Sequence, residues 1–480
     1  MDNVSFEKES MMRGVKLISD AVKTTYGPNG QNVLIQTLGG VHITKDGMTV
    51  ATYVTSDDPE AQVAIDVIKE LSQKTAKDVG DGTTTCVVLA NALVEAYKNG
   101  TSNPIETQRT LQKQCKQVVE FLQTKRKDTN GIDDIRKVAT IAANNDEQLG
   151  SLIAEAYDKV GKYGVVNIEE SSQCEDYYEV HEGLQLDSGF ASPFFINTQD
   201  NTCELTNVLV HITQGKISGN DDILPLAEKA LQQGKTLLII ATDMETFLQE
   251  ALLKNSREHV LESCFVKMPH HGVYKDMFIE DIKRLLGTTM CCDKVIVTRD
   301  TTTFIGCHSD IDNAEYIKEI QHKLEAPELS EAETKIYSKR LANFLGGVCT
   351  IKVGGYSQTE IKEKKDRVED AVCATRQALL TGTLPGGGVS LMRAADVLPL
   401  DEKFKQVLKT PITLLLENSN LEKVELSNTF DCGVNFKTGE VGNAYELGVI
   451  EPFSVTKTSL ENAVNAATLI LTSGCVLIKQ

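Results

Sequence analysis

The sequence is short of positive charge. Its 49 Lys and Arg stand against 68 Asp and Glu, a formal net charge of −19, and that balance excludes a general affinity for nucleic acid or anionic membrane, since both need clustered cations. Long apolar runs are also missing. The most apolar late stretch, 466–478, is broken by Thr, Ser and Gly and falls short of the roughly 20 residues that cross a bilayer. The first residues include Asp2, Glu7, Lys8, Glu9 and Arg13 with no apolar segment, so no secretory signal is expected. The expectation is a soluble, cytoplasmic chain. Cysteine is plentiful at twelve, but no C-x-x-C occurs, which favours reduced, buried thiols over a disulfide framework. His270-His271 precede Cys291-Cys292 by about 20 positions without the ligand spacing of a metal knuckle.

Familiar phosphate motifs are absent too. Gly234-Lys235-Thr236 looks like the end of a Walker A loop, yet position 229 is Lys and the segment precedes an apolar run at 237–241 instead of following one. No G-x-G-x-x-G follows a strand pattern, kinase signatures are missing, and neither an internal repeat nor a low-complexity tail is found.

What is present begins with length. At 480 residues and 41% hydrophobic content, the chain is too long for one core and implies two or three domains. Near its start, Met11, Val15, Ile18 and Val22 at helical spacing predict a helix over 10–25, stopped by Gly27-Pro28-Asn29-Gly30. A hairpin is expected from runs at 33–35 and 41–44, leading into Lys45-Asp46-Gly47. Ala64, Val67, Ile68 and Leu71 predict a further helix ending before Gly80.

Gly80-Asp81-Gly82-Thr83-Thr84-Thr85 then opens a largely apolar helix that runs to about Gly100. Two glycines let the backbone approach a ligand, and a helix N-terminus is an anion site. Asp81 would repel phosphate unless a cation lay between them, which is how Mg²⁺ is usually held. A plain Gly-Asp-Gly turn with a threonine N-cap explains the same residues. Three candidate anion or metal turns within 60 residues favour the nucleotide reading.

Beyond this region the pattern at 132–161 is helical and polar, and 165–168 reads as a strand. After Gly183, strand-like runs at 208–212, 237–241 and 295–298 alternate with helical stretches at 223–231, 245–253 and 276–286, which predicts an inserted α/β domain. Gly346-Gly347 precedes a strand at 348–353 and a charged helix at 359–380. Val368, Val372, Thr375 and Leu379 form the helix's apolar stripe, and Asp370 points elsewhere. Gly382 ends it before Pro385-Gly386-Gly387-Gly388.

These motifs resemble, nearly end to end, the group I chaperonins, the ATP-driven protein-folding rings. The most specific pieces are Tyr26-Gly27-Pro28-Asn29-Gly30, Ile43-Thr44-Lys45-Asp46-Gly47, Gly80-Asp81-Gly82-Thr83-Thr84-Thr85, Lys364-Lys365-Asp366-Arg367-Val368-Glu369-Asp370-Ala371 and Gly386-Gly387-Gly388-Val389. Collinear with them are Asp187-Ser188-Gly189-Phe190-Ala191-Ser192-Pro193, Arg299-Asp300-Thr301-Thr302-Thr303 and Gly448-Val449-Ile450-Glu451-Pro452. The resemblance implies a multidomain α/β chaperonin fold. A mostly helical equatorial domain would lie at 1–127 plus 381–480, a small α/β intermediate domain at 128–182 plus 347–380, and an inserted α/β apical domain at 183–346.

It also implies ATP and Mg²⁺, with K⁺ as a further ion. Asp81 would be the metal ligand, and Gly80, Gly82, Thr83 and Thr84 would lie on the phosphates. Thr25, Gly27 and Pro28 would line the nucleotide, Lys45 would sit near the phosphates, and Asp46 and Asp370 would act on the attacking water. Gly387, Asn435 and Glu451 would contact ribose and base. Phe190, Phe194, Phe195, Leu224, Leu252 and Leu253 would form an apolar groove for non-native client chains. The implied partners are those clients, further copies of the chain in a heptameric ring, and a co-chaperonin lid; nucleic acid and membrane are not among them.

Several positions depart from the family pattern. Glu451 replaces the usual Asp, Phe436-Lys437 replaces small residues, and Ala227, Gln249 and Lys254 make the groove more polar. The segments after Gly287 and between Gly388 and Asn435 are short, and the chain ends at Lys479-Gln480 without a Gly-Gly-Met tail. These departures suit a phage-encoded member or a second bacterial copy. They also fit a degenerate holdase that binds clients without an ATP-driven cycle.

Overall fold

The computed structural model describes residues 4–5, 8–37, 40–99, 103–129, 131–143, 146–162, 164–171, 173–181, 183–186, 188–198, 201–268, 273–324, 331–345, 347–421 and 424–477. Asp187, His270-His271, Gly346, Gly100 and Lys479-Gln480 lie outside these. The fold is multidomain and α/β. Its chain forms two compact units, one of Met1–Ala154 with Asp366–Gln480 and one of Glu155–Lys365.

The first unit is helical. Lys8–Val22 buries Met11, Val15, Ile18 and Val22, the predicted stripe, and ends in a tight turn over Lys23–Thr25. Burying each such aliphatic side chain stabilises by about 2 kcal/mol. Pro59–Val79 starts where Asp58 accepts amide hydrogens from Glu60 and Ala61 ahead of Pro59, and it stops at Gly80, whose φ of 76° is the left-handed conformation glycine tolerates. Thr83–Tyr97, Pro104–Lys125 and Phe453–Thr472 complete the bundle. They share one core that includes Leu89, Leu93, Leu111, Leu122, Leu460 and Ile470. The predicted hairpin is Val33–Thr37 against Gly40–Thr44. The helix expected at 132–161 is two helices, Ile132–Ala142 and Glu147–Val160. Asp146 caps the second by accepting from the amides of Gln148 and Leu149.

The second unit carries a six-stranded sheet. Its order is Ser263–Lys267, Thr236–Ala241, Cys203–Ile212, Cys291–Val297, Thr302–Cys307, Gly183–Leu186. The first three strands are parallel and the rest antiparallel. A smaller sheet places Val348–Val353 between Val165–Glu170 and Tyr177–His181. Lys294 joins the two sheets, its ammonium 2.8 Å from Glu169 and 2.9 Å from Glu204. Among the described residues, no helix is long and apolar enough to cross a membrane.

Candidate functional site

The three glycine turns singled out in the sequence meet in the first unit. A Cβ added at Gly47 would overlap the hydroxyl of Thr84 and stand 3.3 Å from that of Thr25, so the Asp46 turn, the threonine run and the first loop share one wall. Tyr26 ties them further through a 2.9 Å hydrogen bond between its hydroxyl and that of Thr85. Gly82, at φ 80°, is the N-cap of Thr83–Tyr97 and supplies no side-chain cap. A threonine cap is therefore not what these residues make. The amides of the first turn stay available, and the dipole end is positive there.

Gly80 and Gly82 leave room that other chain segments use. Cys373 fills the space where a Cβ on Gly80 would stand, and Ser459 and Val455 do the same at Gly82. The Ser459 hydroxyl donates to the Gly82 carbonyl at 3.0 Å. Cys373 lies on Gln358–Thr381, three residues after Asp370, and i, i+3 side chains share a helix face. Asp370 is thereby brought to the turn it faces, while Val368 and Thr375 are fully buried on the other side.

Three carboxylates converge here. Asp46 caps Gly47–Tyr53, accepting from the amides of Met48 at 3.2 Å and Thr49 at 2.7 Å and from the Thr49 hydroxyl at 2.6 Å. Asp81 accepts from the Gly82 amide at 2.5 Å. Crowding by protein raises the Asp81 carboxyl above its ordinary value, with Asp46 adding repulsion. Asp370 is pushed up to about 7, first by the same desolvation and then by Asp81 and Asp46. Both side chains nevertheless keep solvent-exposed surface: they line a cleft with protein around them and water in front. Water screens their mutual repulsion, so these shifts mark a site that favours a cation more than they measure stored energy. Among the described residues no ion pair neutralises any of the three.

That donor set fits Mg²⁺ in one particular way. No three His, Cys, Asp or Glu side chains among the described residues converge as ligands of a single ion. An ion held here would take one or two carboxylates and complete its shell from water and phosphate oxygens, the usual arrangement for Mg²⁺.

Lys45 donates to the Pro28 carbonyl at 3.0 Å. Gly387, at φ 64°, lies against the ring of Phe436, which is buried with Val389, Ile412, Leu415 and Val434. Asn29 donates to the Phe436 carbonyl at 2.8 Å and fastens that turn to the first loop. The side-chain oxygen of Asn435 caps its own turn through the amides of Lys437 at 2.9 Å and Thr438 at 3.3 Å. Glu451 accepts from Thr456 at 2.6 Å and Ser390 at 3.2 Å, and burial raises its carboxyl to about 7. Ser390, Thr456, Ser459 and Cys373 were not picked out in the sequence, and Tyr26 and Thr85 were named there as parts of the glycine-turn motifs without a role of their own.

In the second unit, the expected groove residues divide by exposure. Phe194 is 68% and Leu224 55% exposed, whereas Phe195 at 4% and Leu252 at 3% belong to the core. Phe190 and Leu253 are half-buried against that core. Phe194, Leu253, Lys254 and Arg257 line a cavity of about 440 Å³ together with Glu250 and Glu258. The Arg257 guanidinium lies 5.6 Å from the Phe194 ring centre. Gln249 turns inward to donate to the Met244 carbonyl at 2.8 Å.

Comparison with known proteins agrees with this architecture. Two crystal structures of the chaperonin gp146 from bacteriophage EL 2 (Pseudomonas aeruginosa), both in the presence of ATP-BeFx, are similar in fold. One matches with a TM-score of 0.78 at 24% identity, covering 99% of each chain. The other crystal form matches with a TM-score of 0.72 at 23% identity, covering 100% of this chain and 99% of that one. The model of the TCP-1/cpn60 chaperonin family matches residues 18–480. The chain belongs to the TCP-1/cpn60 chaperonin family.

Proposed function

We propose that the cleft between Asp46, Asp81 and Asp370 binds ATP and hydrolyses it, and that this turnover drives the folding of non-native polypeptides in a ring-shaped chamber. The observation that carries the reading is the gathering of three un-neutralised carboxylates at the uncapped N-terminus of Thr83–Tyr97. Carboxylates gathered at a positive helix end suit a ligand that brings both anionic oxygens and a cation.

In this reading the amides and hydroxyls of Thr83 and Thr84, with Gly80 and Gly82 giving close backbone approach, hold the phosphates. Lys45 adds positive charge, and Thr25, Gly27 and Pro28 line the nucleotide. Mg²⁺, held by Asp81, would neutralise charge on the phosphate oxygens. Asp46 and Asp370 orient the attacking water and accept its proton, because phosphoryl transfer needs an oriented nucleophile and charge neutralisation more than covalent help. Gly387 and Glu451 bound the ribose end. With Asp370 on an intermediate domain at 128–182 plus 347–380, hydrolysis would wait on closure of that domain. Clients bind at the apical surface through Phe194, Leu224 and the half-buried Phe190 and Leu253; an exposed apolar patch of this kind marks a binding surface. A heptameric ring and a co-chaperonin lid belong to the same proposal, as do K⁺ and a cytoplasmic location.

Asp370→Ala tests the core of this reading. It is expected to keep ATP binding and to lose about 10²- to 10⁴-fold in turnover. Turnover near wild type would remove Asp370 from the mechanism. Protection of an aggregation-prone client without ATP-dependent release would favour a holdase instead, and negative-stain images of the same sample read the ring directly.

A further inference from the structure

A second cavity in the Glu155–Lys365 unit is used by nothing described so far. It holds about 380 Å³ and is lined by Leu209 and Ile212 of the central strand Cys203–Ile212, by Leu226 and by Met290. Three basic side chains border it: His211 on the strand, Lys229 on Asn220–Gln232, and Lys283 on Val273–Leu286. This is unusual in a chain of net charge −19.

Among the described residues neither Lys229 nor Lys283 has an ion-pair partner. The carboxylate near the rim, Asp310, is already engaged: it accepts from the amide of Thr288 at 2.8 Å and also from the Thr288 hydroxyl. His211 is half-buried. Burial first, and then the charge of Lys229, hold its imidazole below the ordinary value. A lysine whose stem crosses apolar surface while its head stays in water is common. Two of them and a histidine beside apolar side chains make a pocket that is apolar in part and cationic in part.

We infer that this cavity, bordered by His211, Lys229 and Lys283, binds an organic carboxylate with a compact apolar body. The volume lies in the range of small-ligand sites, and such sites combine apolar walls with a few placed polar groups. An inorganic anion would leave the apolar lining unused, and a neutral hydrocarbon would leave the ammonium heads of Lys229 and Lys283 without a partner. A free amphiphile and the C-terminal carboxylate of an apolar chain end share this chemistry. The inference does not depend on nucleotide binding, since every group named lies in the second unit.

The test uses the full chain and sodium octanoate, followed by isothermal titration or saturation-transfer NMR, with 1-octanol as the neutral counterpart. Acetyl-Leu-Leu as free acid and as amide probes the chain-end source. At least one of the two carboxylates is expected to bind at submillimolar concentration and its neutral counterpart at least ten-fold more weakly. The Lys229→Gln/Lys283→Gln double variant should lose at least ten-fold in carboxylate affinity and less than two-fold for 1-octanol. The Lys159→Gln/Lys318→Gln double variant, an equal charge change at exposed positions outside the cavity, should leave carboxylate binding unaltered. Circular dichroism confirms that each variant is folded. The inference is overturned if both carboxylates fail to bind at millimolar concentration, if the neutral forms bind as tightly, or if the double variant keeps wild-type affinity.

Discussion

Glu451 offers the sharpest quantitative test of the cleft. It is half-buried, its only hydrogen-bond donors among the described residues are the hydroxyls of Thr456 and Ser390, and its carboxyl is raised from 4.5 to about 7. A carboxyl raised on folding contributes stability that is fully present below its unfolded pKa and is lost as pH rises through the folded one. The empty protein should therefore weaken between about pH 4.5 and 7 on account of this residue. At 1.36 kcal/mol per pKa unit the effect reaches about 3 kcal/mol. Glu451→Gln keeps the size and accepts the same hydroxyls but does not titrate. It should approach wild type at about pH 4 and exceed it at about pH 8 by up to about 3 kcal/mol. Thermal melts of both proteins from about pH 4 to about pH 9, followed with an extrinsic dye because the chain has no tryptophan, read the difference directly. A difference between variant and wild type that stays constant with pH would refute the assignment of a raised carboxyl to Glu451.

Other perturbations address other parts of the molecule. Gly82→Ala places a methyl group against Ser459 and 2.9 Å from Val455 at a φ of 80°. Left-handed strain and the lost Ser459 bond together should cost roughly 2–4 kcal/mol and reduce nucleotide affinity at least ten-fold, whereas Ser459→Ala should cost only about 1 kcal/mol; equal effects would show that the glycine is not required. Phe194→Ser should weaken capture of an unfolded client several-fold with little change in melting temperature, because the ring is 68% exposed. Its neighbour behaves oppositely: Phe195→Ser should cost about 3 kcal/mol or more, as a large core side chain does, and equal stability of the two variants would contradict their placement.

Local chemistry settled much of this protein before any packing was known. The stripe Met11, Val15, Ile18, Val22 needs only a 3.6-residue period to declare a buried helix face. Gly80 and Gly82 around Asp81 announce a sharp turn because positive φ is a property of single residues. The strands of the inserted unit were partly legible: Val348–Val353 and Thr236–Ala241 read as apolar runs. Ser263–Lys267 and Thr302–Cys307 did not, since a short buried strand carries no periodicity of its own and is defined by its neighbours in the sheet.

Tertiary structure decided what those pieces do together. The hydroxyl of Ser459 reaches the Gly82 carbonyl across 377 positions, a separation at which local sequence carries no pairing signal. Asp370 reads in the sequence as one acid among Glu360, Glu363, Asp366 and Glu369, and only its approach to Asp81 and Asp46 raises it to about 7. Phe194 and Phe195 are chemically identical neighbours, and the short turn at Pro193–Phe195 sends one to solvent and the other into the core. In each case the deciding quantity is distance to groups far along the chain, which sets charge and burial and which only the folded chain provides.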